Sequence, residues 1–395
     1  MHFFMRSFEA LLPGRPACLA PLLKRWDCGK RCVQCAISSV IFSLGSVLFA
    51  GIDDDYVESI ECDVPEEMLY ATSYVNLETS AQDFVLETQQ IEIPGHPLAF
   101  NPSIIRWQGR LLLSFRIRYP ETLINQIGLI FLDEEFHPDG SAQILDIRMP
   151  DPLSVPKRQD PRLVAIGDKL FVVYNNVLLR NFKPEIRRMF AAEVHFDGTG
   201  FYVDQAEYLR YFEDEKPDRS DKNWVPFDYE GTLLMARFLD PHWVLRPIWG
   251  TGICETFSKS ARPIYWDWGQ LRGGTPALLI NPDEYLAFFH SSINMPSLHS
   301  KGKIVRHYFM GAYVFSAHPP FEIKRMSSEP IIGKNFYLGK EHQTWKPLHV
   351  VFPGGFVFDD RYIWIAYGRQ DHEIWIVKLD KERLLNSLTS TSDGN

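Results

Sequence analysis

Residues 160–176 read DPRLVAIGDKLFVVYNN. A polar Asp-Pro-Arg opener leads into a short apolar run. Gly167 and Asp168 then supply turn residues, and a second run mixes aliphatic and aromatic side chains. Two runs rich in β-branched and aromatic residues, joined by a turn containing Gly, describe a β-hairpin. Four other stretches share the plan: NPSIIRWQGRLLLSFR at 101–116, NWVPFDYEGTLLMARF at 223–238, TPALLINPDEYLAFFH at 275–290 and PGGFVFDDRYIWIAYG at 353–368. In each, 15 residues separate the opener from the end of the second run, and the openers recur at intervals of 59, 63, 52 and 78 residues.

A hairpin that returns at intervals of this size is the sequence period of a β-propeller. Stretches such as IGLIFLDEE, RRMFAAEVHF, YFMGAYVFSA and EIWIVKLD would supply further blade strands. The expectation is an all-β chain, a five-bladed β-propeller spanning 96–381. A β-sandwich is the alternative, because sandwiches also alternate short strands with regular turns. A propeller would gather the openers Asn101, Asp160, Asn223 and Thr275 around one axis. Residues 53–95 are expected as a lead-in. Residues 382–395 are expected as a polar tail that frays.

The chain has 395 residues, enough for two or three domains or one large all-β domain. Hydrophobic residues at 45% and charged residues at 23% exclude a disordered or collagen-like chain. Aromatics at 14% favour β-structure and stacking surfaces. A net charge of −9 argues against a nucleic-acid partner.

The charge is uneven. Residues 1–52 carry a net +4, leaving −13 for the remainder. Cys18, Cys28, Cys32 and Cys35 lie in this basic segment, and only Cys62 and Cys254 lie beyond it, so the body is no disulfide scaffold. No second Cys/His pair follows Cys28, Cys32 and Cys35 at zinc-site spacing, so no metal is expected. Membrane-proximal, acylated thiols fit that cluster better. Residues 33–52, VQCAISSVIFSLGSVLFAGI, contain no charge, follow Lys30-Arg31 and precede Asp53-Asp54-Asp55. That length can span a bilayer, and the flanking charges put the basic 1–32 segment in the cytoplasm. The segment reads as a transmembrane signal anchor or a signal peptide cleaved near Ala50, with a buried helix of the body as the alternative. The expectation is therefore an N-terminal hydrophobic helix contacting a membrane and an exported or anchored body. Oligomeric state is left open.

Chemistry-bearing residues gather at the openers and strand ends: Arg116, Asp160, Arg162, Lys222, Arg272, His290 and Asp371. Trp224, Trp345 and Tyr367 lie near them in sequence and could stack on a sugar ring. Carboxylate, base and aromatic at one mouth is the composition of a carbohydrate site. The competing structural reading is that Asp160 stabilises its own turn or pairs with Arg162, and that His290, after two Phe, is a core residue.

Taken in order, KRQDPRLV, KNWVPF, WDWGQLRGGTPALL, EYLAFFHSS and VVFPGGFVFDD followed by IAYGRQDHEIWIV resemble glycoside hydrolase family 130, from about residue 97 to 379. The resemblance implies a five-bladed propeller acting on β-mannosides, as a phosphorylase or in some branches a hydrolase. It implies Asp160 as the general acid, Asn101 and Arg116 lining the sugar and phosphate region, Arg272 and His290 at the phosphate, and Asp371 on sugar hydroxyls. Arg237 is the third-blade candidate for phosphate. Arg162, Asn223, Trp224 and Tyr367 complete the expected sugar-binding set. Gln159 stands where the family has Glu, and Arg272 where it has Lys.

The chemistry can be argued without the family. Inverting cleavage needs an acid at the leaving oxygen and a nucleophile on the opposite face. A hydrolase adds a second carboxylate, roughly 6.5–9.5 Å away, to activate water. A phosphorylase needs cations instead, because phosphate is itself the nucleophile. Arg116, Arg272 and His290 suit anion binding. Asp228, Glu230 and Asp240 are the candidate second carboxylates. Asp160 would need a raised pKa to act as an acid near neutrality, and a pocket between Trp224 and Tyr367 could desolvate it. The expected activity is inverting phosphorolysis of β-mannosides, without a cofactor beyond inorganic phosphate as co-substrate. β-Mannosidase activity and non-catalytic glycan binding are the alternatives.

Overall fold

The structure, a computed structural model, describes residues 74–391 apart from 120, 123, 149–153, 179–185, 204, 217, 261–263, 341 and 343–347. The expected membrane helix at 33–52, the cysteines around it and Trp345 lie outside the described residues. Among the described residues, no helix is long and apolar enough to cross a membrane.

The expectation of an all-β body holds, with one α-helix among the described residues. A strand β1 (Val85–Ile91) is followed by five antiparallel meanders. The first comprises β2 (Ala99–Trp107), β3 (Arg110–Tyr119), β4 (Ile124–Leu132) and β5 (Pro138–Ile144). The second comprises β6 (Ser154–Ile166), β7 (Lys169–Leu178) and β8 (Ile186–Phe196), edged by β9 (Phe201–Val203) and β10 (Glu207–Tyr208). The third is β11 (Val225–Tyr229), β12 (Thr232–Leu239), β13 (His242–Ile248) and β14 (Ile253–Lys259). The fourth contains β15 (Arg272–Gly273), β16 (Leu278–Asn281), β17 (Glu284–Met295), β18 (Val305–Ser316) and β19 (Ile323–Met326), with β20 (Leu348–His349) beside β18. The fifth is β21 (Val351–Phe358), β22 (Tyr362–Arg369) and β23 (Glu373–Asp380), completed by β1, which pairs with β23. A single parallel bridge, Asn125 to Lys157, joins the first two meanders, so hydrogen bonding groups the strands into four sheets rather than a closed one.

The expected hairpins are present because their turns suit them. Gln108-Gly109 and Glu230-Gly231 both take positive φ at two successive residues, the backbone a tight two-residue hairpin turn requires. Apolar side chains fill the space between successive meanders. Leu112 packs with Leu163 and Val172, Val173 with Met235, and Phe227 with Phe289. Phe288 packs with Phe356, and Ile104 and Phe115 pack with Val357 and Ala366, bringing the fifth meander against the first. Both faces of the sheets are thus covered, and each fully buried large side chain contributes about 1.5–3 kcal/mol. The strands nearest each opener also touch in succession: β2 on β6, β6 on β11, β12 on β15, β17 on β21, and β21 on β2.

The Gly-Gly pairs serve that approach. A Cβ on Gly354 would lie 1.9 Å from the Pro102 carbonyl oxygen, and one on Gly273 2.2 Å from that of Asn223. No other residue lets these backbones meet.

The tail expectation is corrected. Helix α1 (Lys381–Ser387) follows an Asp380 cap that accepts from the Arg383 amide, and buries Leu384 in the core. Strand β24 (Thr389–Ser390) then pairs with β19. Leu384 and Leu388 are the buried anchors of this stretch, with Leu385 packed partly buried beside them.

Candidate active site

At the first, second and fifth openers the ladder slips, between Phe100 and Ser103, Gln159 and Arg162, and Pro353 and Gly355. Such bulges bend a strand and re-aim its side chains. Asn101, Asp160 and Asn223 all adopt left-handed backbone, φ +48°, +53° and +65°. Asn and Asp tolerate that region better than other non-glycine residues, but it is strained, and strain of this kind concentrates at functional sites. The 15-residue spacing also acquires a cause. Phe100 pairs with Arg116, Gln159 with Asn175 and Phe352 with Gly368, so each opener stands beside the end of its own second strand.

Asp160 is the hub. Nδ2 of Asn101 donates to its Oδ1 at 2.9 Å, and Nδ2 of Asn175 donates to Oδ2 at 3.2 Å. Arg116 lies 3.7 Å from Oδ1, and Arg162 donates to the Asp160 carbonyl at 3.0 Å. Arg162 also donates to Asn223 Oδ1 at 3.3 Å and to the carbonyls of Gly273 and Gly274. One hydrogen-bonded chain therefore runs from Asn101 through Asp160 and Arg162 to Asn223 and the strand before Thr275. Asn101 itself seats on Gly368, where a Cβ would collide with its Oδ1.

The electrostatics differ from the sequence expectation. Burial raises the proton affinity of Asp160, but Arg116, Arg162, the Asn101 amide and Lys222 together outweigh it and hold the carboxyl below its ordinary value. The expected raised pKa is not found. Asp371 shows the upward shift instead. Burial pushes it up and the Asp160 charge adds to this, against Arg116. Burial lowers Arg116 to about 10 despite Asp160 and Asp371. Arg118 and Arg187 add positive charge around Arg116, and Arg187 donates to Gln159 at 3.2 Å. Nε of Arg116 and Oδ1 of both Asn101 and Asn175 are buried without a hydrogen-bond partner among the described residues.

His290 is cross-strand neighbour to Arg272 and packs on Phe352, ring centroids 4.6 Å apart. Burial, then Arg272, Arg162 and Lys222, hold its imidazole neutral, far below the ordinary His value. Lys222 acts on both His290 and Asp160, so both groups sit in one cationic field.

Trp224, Tyr367 and Arg237 are held in packing and pairing away from this chain of contacts, and Arg162 lies within it as a buried strut. Trp224 is fully buried against Phe212, with Nε1 donating to Asp221 at 2.6 Å. Tyr367 is fully buried against Phe336. Neither presents a ring to a sugar. Arg162 is fully buried beneath the openers as a strut. Arg237 pairs with Asp221 at 2.9 Å and stacks over Phe212, Phe238 and Trp243. Aromatic and basic spacing alone does not separate a pocket wall from the packing beneath it. Asp228 caps the β11–β12 turn through Gly231, Glu230 is in that turn, and Asp240 is exposed beyond β12. The carboxylate that couples to Asp160 is Asp371, at the β22–β23 turn.

Sequence reading missed Asn175 and Arg187. The signal for Asn175 was available, because it occupies in the second hairpin the place of Arg116 in the first. Arg187 carried none, since it lies on β8, outside the repeated hairpin.

No family model and no curated protein matches the chain. Solved structures do. A candidate glycoside hydrolase from Parabacteroides distasonis is 15% identical with a TM-score of 0.54, over 72% of this chain and 87% of that one. MPT-4, a mannose phosphorylase from Leishmania mexicana solved with a phosphate ion, is 14% identical with a TM-score of 0.51, over 79% and 92%. A β-1,2-mannobiose phosphorylase from Listeria innocua, solved with β-1,2-mannobiose, is 13% identical with a TM-score of 0.50, over 78% and 95%. At these identities the likeness is one of fold, and the chain shares the fold of these carbohydrate-active proteins.

Proposed function

We propose that the chain is a carbohydrate-active enzyme that cleaves β-mannosides by inverting phosphorolysis, with the five meanders as the blades of a propeller and their openers around its axis. The observation that carries this reading is the largely buried Asp160, gripped by Asn101 and Asn175 and beside Asp371, in a field of Arg116, Arg162 and Lys222. A cationic field around the acid suits an anionic nucleophile such as phosphate. The mannose and mannobiose phosphorylases of the same fold support the substrate class.

In this reading a phosphate oxygen, held by Arg116, Arg272 and Lys222, attacks the anomeric carbon from the face opposite the leaving group. The glycosidic C–O bond breaks, and the leaving oxygen takes a proton from Asp160. Mannose 1-phosphate and the shortened glycan depart, and solvent returns the proton. The resting ionisation of Asp160 fits this order of events. Bound phosphate offsets the cations that hold the carboxyl low, so its proton affinity rises only when the nucleophile is in place. A hydrolase using Asp160 and Asp371 is the second reading, favoured by the upward shift of Asp371. Incubation with β-mannosyl disaccharides, with and without phosphate, separates them. Mannose 1-phosphate formed only with phosphate supports phosphorolysis, and free mannose in both supports hydrolysis. Binding without cleavage in either would leave a glycan-binding module. Residues 33–52 are proposed to anchor or export the enzyme, which fractionation of the full chain tests.

A further inference from the structure

A groove of about 890 Å³ opens between the β1–β2 connection, residues 335–340 with His342, and the β22–β23 turn. That size is within the ~300–1,000 Å³ of small-molecule pockets. Only one turn separates it from the candidate active site. Gln370 and Asp371 both take left-handed backbone, and while Asp371 couples to Arg116 and Asp160, the next residue, His372, lines the groove.

The groove wall is built rather than incidental. Glu373 accepts from Arg369 at 2.7 Å, from Trp375 Nε1 at 2.8 Å and lies 2.7 Å from His342 Nε2. Burial alone would raise its pKa, but these three donors bring it down to about 2. His342 stacks on His372 at 4.5 Å and 13° between planes. His372 Nδ1 lies 2.7 Å from the Gln370 carbonyl and donates there, so Nε2 stays outside that bond. Glu78 pins the facing loop through the amides of Asn335 and Tyr337. Exposed Gln90, Glu92 and Lys340 stand at the rim.

The charged groups of this wall are paired with one another, Arg369 and His342 with Glu373, and the half-buried Trp375 indole and the exposed Gln90, Glu92 and Lys340 line the groove beside them. An anion would find no open cationic cluster, whereas a neutral polyhydroxylated ligand would find partners for its hydroxyls beside an indole. We infer that the groove is a second carbohydrate subsite, taking the sugar units of an oligosaccharide that extend past the Asp371 turn. The inference rests on the proposed β-mannoside reading and narrows the substrate to chains longer than a disaccharide.

The test compares kcat/KM for β-mannotetraose and β-mannobiose of one linkage, in the full-length protein and in Lys340→Ala and His342→Ala. Lys340 is exposed, so its variant keeps the experiment interpretable should loss of His342 disturb folding. The expected wild-type preference for the tetraose is about tenfold or more, collapsing toward parity in both variants. Parity in the wild type, or a preference untouched by both variants, overturns the subsite. If no mannoside is turned over, the same pair of ligands is compared by calorimetric titration. Tighter tetraose binding, lost in the variants, then keeps the subsite while the catalytic reading falls. Equal or absent binding overturns the subsite as well.

Discussion

The side-chain amide of Asn101 donates to Oδ1 of Asp160 at 2.9 Å, although 59 residues separate them and each takes a left-handed backbone. Two strained openers from neighbouring meanders are thereby locked together. The lock favours the ionised carboxylate, because only an acceptor completes it. Removing the donor in Asn101→Ala raises the pKa of Asp160. For a residue acting as the acid, the protonated form then survives to higher pH. The alkaline limb of the kcat/KM profile is expected to move upward, and an unmoved limb assigns that limb to another group.

Asp160→Asn keeps the shape and the hydrogen-bonding reach of the side chain but removes the transferable proton. Mannoside turnover is expected to fall by ~10²–10⁴-fold while glycan affinity survives. Steady-state kinetics beside calorimetry checks both halves, and unchanged turnover removes the acid assignment.

Tyr367 carries a buried hydroxyl with no hydrogen-bond partner among the described residues. Tyr367→Phe deletes that unpaired group at almost constant shape, so thermal stability is expected to hold or rise by about 1 kcal/mol. Trp224→Phe instead breaks the 2.6 Å bond to Asp221 and opens a cavity, and is expected to cost about 1–3 kcal/mol. Glycan affinity should be the same in the Tyr367 variant and the wild type. A large loss there would return Tyr367 to the sugar site.

Gly354→Ala places a methyl group 1.9 Å from the Pro102 carbonyl oxygen. Backbone cannot give way as a side-chain tip does, so a loss of about 1–3 kcal/mol or more is expected. Because Pro102 adjoins Asn101, turnover should fall as well. Calorimetric unfolding alongside kinetics measures the two effects.

Glu373 has its folded-state pKa depressed to about 2, so its contribution is fully present above the unfolded value near 4.3 and is lost as pH falls toward 2. Glu373→Gln is expected to destabilise the protein by on the order of 2–3 kcal/mol at pH 7. The gap to the wild type should narrow between about pH 4 and pH 2. A gap constant with pH would assign the loss to packing rather than to charge.

The hairpins, their turns and the spacing of their openers were legible in the sequence because a strand writes its two faces and its turn residues locally. Asn101, Arg116, Asp160 and His290 stand at the openers and strand ends of that repeat, whereas the roles expected of Arg272 and Asp371 came with the family resemblance. Which of the charged and aromatic residues are buried in packing was decided only by the tertiary structure. Trp224 lies beside an opener and Tyr367 beside a strand end in sequence, yet both are fully buried, against Phe212 and Phe336. The ionisation of Asp160 was likewise beyond the sequence, because it depends on Arg116 and Asn101 arriving from the first meander and Lys222 from the connection before β11. Burial and Coulomb interaction depend on distance in space, and for these groups that distance is fixed by how the meanders pack rather than by their order in the chain.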